Sequence, residues 1–264
     1  MKSILNFFIL LLIISCKSEP KDESKTSKTE QKTETQKEIP VEITPIEHAT
    51  FVMEWADEVV YVDPNGGVDA FKDLPKPSLV LITDIHGDHF NLETLKGLSQ
   101  SFDMVAPQAV YDKMPKELQN KTKILANGKS FDFHGFNLKG VPMYNITEAR
   151  LKYHEKGRGN GYVVSKDNYK VYISGDTEAI PEMKSLTDID LAFMCMNLPY
   201  TMPPEMAAEA VLSFKPKKVL PYHYRGMKDG KPHFFSVEKF KEMVQSQNDE
   251  IEVSLLDWYP KKSS

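Results

Sequence analysis

SLVLITDIHGDHF, residues 78–90, decides how this chain folds. Its first half, Ser78 to Thr83, is a continuous apolar run, the pattern of a strand buried on both faces. Its second half turns at once into Asp84-Ile85-His86-Gly87-Asp88-His89. Four side chains able to bind a cation fall within six residues there, on a loop whose glycine lets the backbone bend sharply enough for them to converge. A helix follows in NLETLKGLSQ, with Asn91 placed to cap it. Buried strand, polar loop and helix form a unit of α/β proteins, which place ligands at the carboxyl ends of such strands.

Outward from this stretch, apolar and β-branched residues recur between turn signals at 41–46, 49–55 and 58–63, predicting three strands. Strands are expected near 103–106 and 123–126, the second closing on Asn127-Gly128, a hairpin signal. Further strands fall at 130–134, 136–144, 161–166 and 169–174, then in DLAFMCM (Asp190 to Met196), in KKVLPYH ending at His223, and near 251–256, with helices over 203–214 and 236–246. Two strand-rich halves, each giving way to alternating helices and strands, predict a layered α/β sandwich rather than a doubly wound sheet. No short-period repeat is present.

The 264 residues are 41% hydrophobic and 27% charged with a net charge of −5, a globular composition that offers no polycation for nucleic acid. Lys2 is followed by an apolar run from Ile4 to Ile14, the length of a signal-peptide core and too short to span about 30 Å of hydrocarbon as a helix. Ile13-Ile14-Ser15-Cys16 resembles the bacterial lipobox, so residues 1–15 are expected to be removed and Cys16 lipidated. Residues 16–40 then read as a flexible tether, since Lys17 to Glu38 holds no aliphatic or aromatic side chain with which to offset the entropy of ordering. The protein is expected to be exported and lipid-anchored to a bacterial membrane, facing periplasm or cell exterior, with its folded domain over 41–260. Two cysteines, Cys16 and Cys195, make no disulfide framework, and Cys195 between Met194 and Met196 reads as buried and inert.

Several motifs dissolve. Gly128-Lys129-Ser130 resembles the end of a phosphate loop, but Lys123 stands where its leading glycine belongs. No GxSxG elbow exists, and the sequons at Asn120 and Asn145 are discounted for a bacterial lipoprotein. What remains is a constellation: the loop at 84–89, Gly175-Asp176 after the strand 171–174, and His223 after the strand 218–222.

IHGDH, SGDT and PYHY in this order, preceded by VYVDP, resemble the metallo-β-lactamase superfamily, and more closely its L-ascorbate 6-phosphate lactonase-like branch of metal-dependent hydrolases. EHATFVMEW, GRGNGYVV, NLPYTMPPEMAAEA and VLPYHYRG are similar to that branch too, so the resemblance runs from about 41 to 259. It implies a four-layer αββα sandwich with one or two divalent ions at one edge, zinc foremost, manganese or iron as alternatives. His86, Asp88 and His89 match the last three ligands of the HxHxDH signature, Asp176 the aspartate shared by two metals and His223 the final histidine. Two positions depart: Asp84 stands where the first histidine belongs, and Met143-Tyr144-Asn145 where a further histidine ligand is usual. One ion is therefore expected on Asp88, His89, Asp176 and His223. A harder, weaker first site would use Asp84, His86, Asp176 and either Asn145 or His154.

Such a site implies metal-assisted hydrolysis of an ester, lactone or phosphodiester-type small molecule, with Asp176 holding the water by its proton and Asp84 a candidate general base. A non-catalytic metal-binding lipoprotein is the alternative. Asp63 is a candidate to orient a ligating histidine. His48 either enters the cleft or is satisfied in the sheet. His134 reads as structural. Tyr200, Tyr224, Arg225 and His233, expected on loops, are candidate substrate contacts against the plainer reading of an ordinary cleft mouth.

Overall fold

Alternation along each strand, inward then outward, builds the layers of the computed structural model, which describes residues 40–98 and 101–259. The expected signal peptide, the Cys16 expected to carry lipid and the expected tether up to residue 39 lie outside the described residues. The first sheet has β1 (Val41–Glu47), β2 (Thr50–Trp55) and β3 (Glu58–Val62) as an antiparallel meander, with β4 (Leu79–Leu81), β5 (Asp103–Ala106) and β6 (Thr122–Ile124) continuing in parallel from β3. The second repeats the plan. Strands β7 (Ser130–Phe133), β8 (Phe136–Met143), β9 (Gly159–Lys166) and β10 (Tyr169–Ile173) pair antiparallel. β11 (Leu191–Cys195), β12 (Lys218–Tyr222) and β15 (Glu252–Val253) follow in parallel, β15 coming after a separate ribbon of β13 (Arg225–Lys228) and β14 (Lys231–Phe234).

The central parallel strands β4 and β11 are buried on both faces, which is why they are apolar throughout. Phe51, Met53, Val60, Val62, Leu79, Leu81 and Val105 point into a core shared with the second sheet. Their neighbours Val52, Tyr61, Val80, Ile82 and Met104 point the other way, onto α1 (Leu92–Gly97), α2 (Gln108–Tyr111) and α3 (Lys116–Gln119), through Leu95, Val110 and Leu118. In the second sheet Phe193 stacks on Phe51 across the interface, ring centroids 4.1 Å apart, while Tyr172 faces out onto Phe214. Phe214 belongs to α5 (Pro204–Phe214), which packs with α4 (Pro181–Lys184) and α6 (Val237–Gln245). The order helix, sheet, sheet, helix is the expected αββα sandwich.

Hydrogen bonds tie the sheets together at the end where the strand at 78–83 gives way to the polar loop. Tyr162 in β9 donates its hydroxyl to Ile82 O at 2.6 Å, and Asn160 donates its backbone N–H to Thr83 O at 2.9 Å and its amide to Leu125 O at 2.7 Å. Groups this buried must be paired, so these bonds hold one register between the sheets.

Two local expectations change, and short helices are added. Asn127-Gly128 does not close a hairpin: β6 and β7 lie in different sheets, and the turn carries the chain between them, with Gly128 at φ 75°. Arg225 and His233 lie on the ribbon rather than on loops, and the two-residue turn between its strands is Asp229-Gly230, both at positive φ. Helices α2 and α3 are single turns entered from Pro107 and Pro115, too short to show a helical period.

Phe51→Ala removes the ring that joins the sheets and should lower stability by about 3–5 kcal/mol, read as a lower urea midpoint at unchanged slope. A loss under about 1 kcal/mol would mean that the sheets are not joined through this contact.

Candidate metal centre

Strand ends from both sheets supply the site. Asp63 follows β3, the 84–89 loop follows β4, Asp176 follows β10 and His223 follows β12. Asp63, His48 and His223 have φ of 45°, 60° and 48°, a left-handed backbone that costs residues with a Cβ about 1 kcal/mol or more each. Gly175 turns the chain at φ 60°, where a Cβ would lie 2.4 Å from Met143 Sδ. That sulfur accepts the Asp176 N–H at 3.0 Å, so Met143, standing where the resemblance calls for a histidine, supports Asp176 from below.

His89 is fully buried, its Nδ1 2.8 Å from Asp63 Oδ2. Asp63 also accepts the Thr83 N–H at 2.7 Å and the Thr83 hydroxyl at 2.6 Å. Burial raises the Asp63 pKa, while the His89 charge and these hydrogen bonds act against it. Burial works against a charge on His89, but Asp176, Asp88 and Asp63 raise its pKa well above the ordinary value; Nδ1 carries a proton towards Asp63, and a cation would displace the second proton from Nε2. That nitrogen points at Asp176 Oδ2, 3.4 Å away, and at His223 Nε2, 3.2 Å away. His223 Nε2 is 3.2 Å from Asp176 Oδ1 and 3.5 Å from Asp88 Oδ2. Burial would raise the Asp176 pKa, but His223 and His89 outweigh it and hold the group well below the ordinary carboxylate range. Asp176 Oδ1, though buried, makes no hydrogen bond among the described residues. Imidazole lone pairs and an ionised carboxylate converging in a dry place are the donor set of a divalent cation, which fits here.

The second cluster is Asp84, His86 and His154. Asp84 is fully buried, and its Oδ2 lies 2.6 Å from His86 Nδ1. Arg158 meets it with both arms of its fork, Nε to Oδ1 at 3.2 Å and Nη2 to Oδ2 at 3.1 Å. Burial pushes the Asp84 pKa up, yet the His86 hydrogen bond and the neighbouring imidazoles pull it below its ordinary value. His154 Nε2 is 3.3 Å from Asp176 Oδ2 and 3.8 Å from Asp84 Oδ2, and it too makes no hydrogen bond among the described residues. Its Nδ1 faces Tyr200 O at 3.1 Å.

His154 is delivered by the loop between β8 and β9. Asn145, offered as an alternative to it, braces this loop, donating its amide to Arg150 O at 2.9 Å and to Tyr200 O at 2.7 Å, while its Oδ1 is buried with no hydrogen bond among the described residues. Glu178 does more. Fully buried, it accepts the N–H groups of Ile146 and Thr147 at 2.7 and 2.6 Å and pairs with Arg150. Burial alone would raise its pKa, but Arg150 and the Thr147 and Ile146 hydrogen bonds leave it lowered.

A cleft of about 330 Å³ opens onto both clusters, and His48, Tyr153, Tyr200 and Arg225 line it. His48 thus enters the cleft: Nε2 lies 3.3 Å from Asp88 Oδ2 and Nδ1 accepts the Tyr259 hydroxyl at 2.7 Å. Burial, then the neighbouring His223, lowers its pKa to about 4, so it is neutral at pH 7. Tyr224 stacks edge-on with Tyr259 at 5.0 Å, and His233 lines a different groove. His134 bridges Glu58 and Asp103 at 3.1 and 3.0 Å, a structural clasp. Cys195 is buried, its thiol pushed up to about 12 by burial and the Asp176 charge. Sequence reasoning passed over Thr83, Glu178 and Arg158. For Arg158 there was a signal, because a carboxylate in place of a buried histidine calls for a counter-charge.

Residues 42–223 match the model of the beta-lactamase superfamily domain. A UPF0173 metal-dependent hydrolase of Thermococcus onnurineus is 30% identical over 222 residues, covering 79% of this chain and 93% of the relative. A crystal structure from Parabacteroides distasonis is 34% identical with a TM-score of 0.71, covering 83% of this chain and 94% of that one. The fold also matches that of Igni18, a metallo hydrolase of Ignicoccus hospitalis, at 22% identity and a TM-score of 0.68, over 83% and 96% of the two chains.

Glu178→Gln should cost about 1–3 kcal/mol at pH 7 by weakening the clasp on the His154 loop. A depressed folded pKa stabilises above the unfolded value of about 4.3 and is lost as pH falls through the folded one, so the gap to wild type should close below about pH 4. Urea unfolding of both proteins from pH 3 to 7 checks this. A pH-independent gap would mean that the carboxylate charge is not what holds the loop.

Proposed function

The chain belongs to the β-lactamase superfamily and has its metallo-β-lactamase fold, and on that premise we propose that it is a metal-dependent hydrolase of ester, lactone or phosphodiester-type small molecules, tethered to a membrane through Cys16. The observation that carries this reading is the approach of His89 Nε2, His223 Nε2 and the Asp176 carboxylate to within 3.4 Å of one another at the foot of a cleft. Asp88, His89, Asp176 and His223 would hold the ion. Their mixed oxygen and nitrogen shell suits zinc best, with manganese or iron as alternatives. Bound there, a divalent cation supplies Lewis acidity, bringing the pKa of water towards about 7 and polarising an acyl or phosphoryl oxygen.

The remaining work falls to the chain. Asp176 Oδ1, buried and without a hydrogen bond among the described residues, can accept a hydrogen bond from the attacking water and orient it. Asp63 and Thr83 keep the His89 ring in one tautomer and orientation. The neutral His48 donates Nε2–H to Asp88 and is held in turn by Tyr259. Asp84, held by the Arg158 fork and 2.6 Å from His86 Nδ1, positions His86 rather than taking up a proton. Tyr200, Tyr153 and Arg225 meet the substrate at the mouth, where the Arg225 guanidinium, paired with Glu47 at 3.1 Å, can offer its remaining N–H groups as hydrogen-bond donors.

The membrane tether rests on the apolar run Ile4 to Ile14 and on Cys16 directly after it. Among the described residues no helix is long and apolar enough to cross a membrane. Cys16→Ser expressed in a bacterial host should leave the membrane fraction, where wild type stays. Equal partitioning of the two would rule out lipidation at this cysteine.

Metal-loaded protein assayed against ester, lactone and phosphodiester panels should turn over at least one class, lose that activity to a chelator and regain it with zinc or manganese. His89→Ala and His223→Ala should lose metal more completely than Asp84→Ala. If the loaded protein leaves every class untouched, the cleft is a binding module. If the three variants lose metal equally, the ion does not sit on the set assigned to it.

A further inference from the structure

Resting on the ion site assigned above, we propose that Asp84, His86 and His154 form a latent second ion site that Arg158 keeps closed, so that the protein works with one divalent cation and one fixed guanidinium.

The ligand types in this cluster are adequate, since one carboxylate and two imidazoles bind divalent ions elsewhere. His154 Nε2 is buried, makes no hydrogen bond among the described residues and lies 3.3 Å from Asp176 Oδ2. Its Nδ1 lies against Tyr200 O at 3.1 Å, which leaves the proton there and the lone pair at Nε2. A donor atom is therefore waiting. What is spent is Asp84. Its Oδ1 accepts from Arg158 Nε at 3.2 Å and its Oδ2 from Arg158 Nη2 at 3.1 Å, with His86 Nδ1 2.6 Å from the same Oδ2. Of the four in-plane lone pairs of the carboxylate, Arg158 takes one on each oxygen and His86 crowds Oδ2, so an ion would have to share Oδ1 with the guanidinium.

Arg158 is no loose surface side chain that an arriving ion would push aside. Nη2 also donates to Tyr153 O at 2.5 Å, and the side chain is only 17% exposed. A guanidinium stays charged at every working pH and matches a carboxylate in a two-armed fork that is stronger than a single contact. A divalent ion on Asp84 would lie beside this fixed charge with no new anion to offset it, because Asp176, the other carboxylate in reach, is already shared with the first ion. The Asp84–Arg158 couple is close to neutral overall, as is the histidine that Asp84 replaces. Arg158 is thus a positioning residue: it acts through Asp84, setting the number of ions and leaving a positive charge that no chelator removes.

The test is metal stoichiometry. Purified wild type saturated with zinc or manganese and then desalted should retain about one ion per chain, and Arg158→Met, which keeps an apolar stem and loses the charge, about two. Adding His154→Ala to Arg158→Met should return the count to one. Electron paramagnetic resonance of manganese-loaded protein gives a second readout: an isolated ion in wild type, a spin-coupled pair in Arg158→Met. Two ions in wild type, or one in a folded Arg158→Met as judged by circular dichroism, would overturn the inference while leaving the first ion site intact. Wild type that retains none would overturn both. If Arg158→Met does not fold, wild type decides alone, a single uncoupled ion supporting the closed site and a coupled pair contradicting it.

Discussion

Buried charge that must find a partner is the constraint on which the rest of this molecule depends. His89, Asp176 and His223 are almost wholly removed from solvent, and their polar atoms approach to 3.2–3.4 Å. Desolvating a carboxylate costs several kcal/mol even after relaxation. The arrangement is tolerable only with a positive charge among the three, and the strained backbones at His48, Asp63 and His223 show the fold bent to bring it about.

The sandwich makes the convergence possible. The residues come from the ends of β3, β4, β10 and β12, two strands in each sheet, so the site exists only while the sheets hold one register. The Phe51–Phe193 stack sets their spacing in the core, and the Tyr162 and Asn160 hydrogen bonds pin them next to the 84–89 loop. Burial on both faces supplies the rigidity. Function is confined to the rim, where a loop braced by Glu178 brings His154 over a cleft that loops of another length would shape differently.

Much of this was legible beforehand because its causes are local. A strand buried on both faces shows as a continuous apolar run, and the 78–83 run located the central strand and hence the polar loop at its end. Asp63 in VYVDP could be singled out because a ligating imidazole needs a partner for its other nitrogen. Contacts between distant segments were not legible. Asn127-Gly128 has the chemistry of a hairpin turn, yet its partners across the sandwich make it a passage between sheets, while Asp229-Gly230 is a true hairpin that went unread. Arg158 lies 74 residues from Asp84, and nothing in spacing or periodicity joins them. Glu178 escaped for the same reason, as its partners Ile146, Thr147 and Arg150 come from the loop it anchors.

Set beside a histidine-only cluster, the carboxylate and guanidinium at one edge give this cleft an uneven charge, cation-binding on the side of His223 and already neutralised on the side of Asp84. The most direct measurement is anomalous diffraction at the zinc edge from crystals of the zinc-loaded protein. A strong peak is expected within bonding distance of His89 Nε2, His223 Nε2 and the Asp176 carboxylate. A map with no peak there, or with its main peak on another surface, would contradict that placement of the ion.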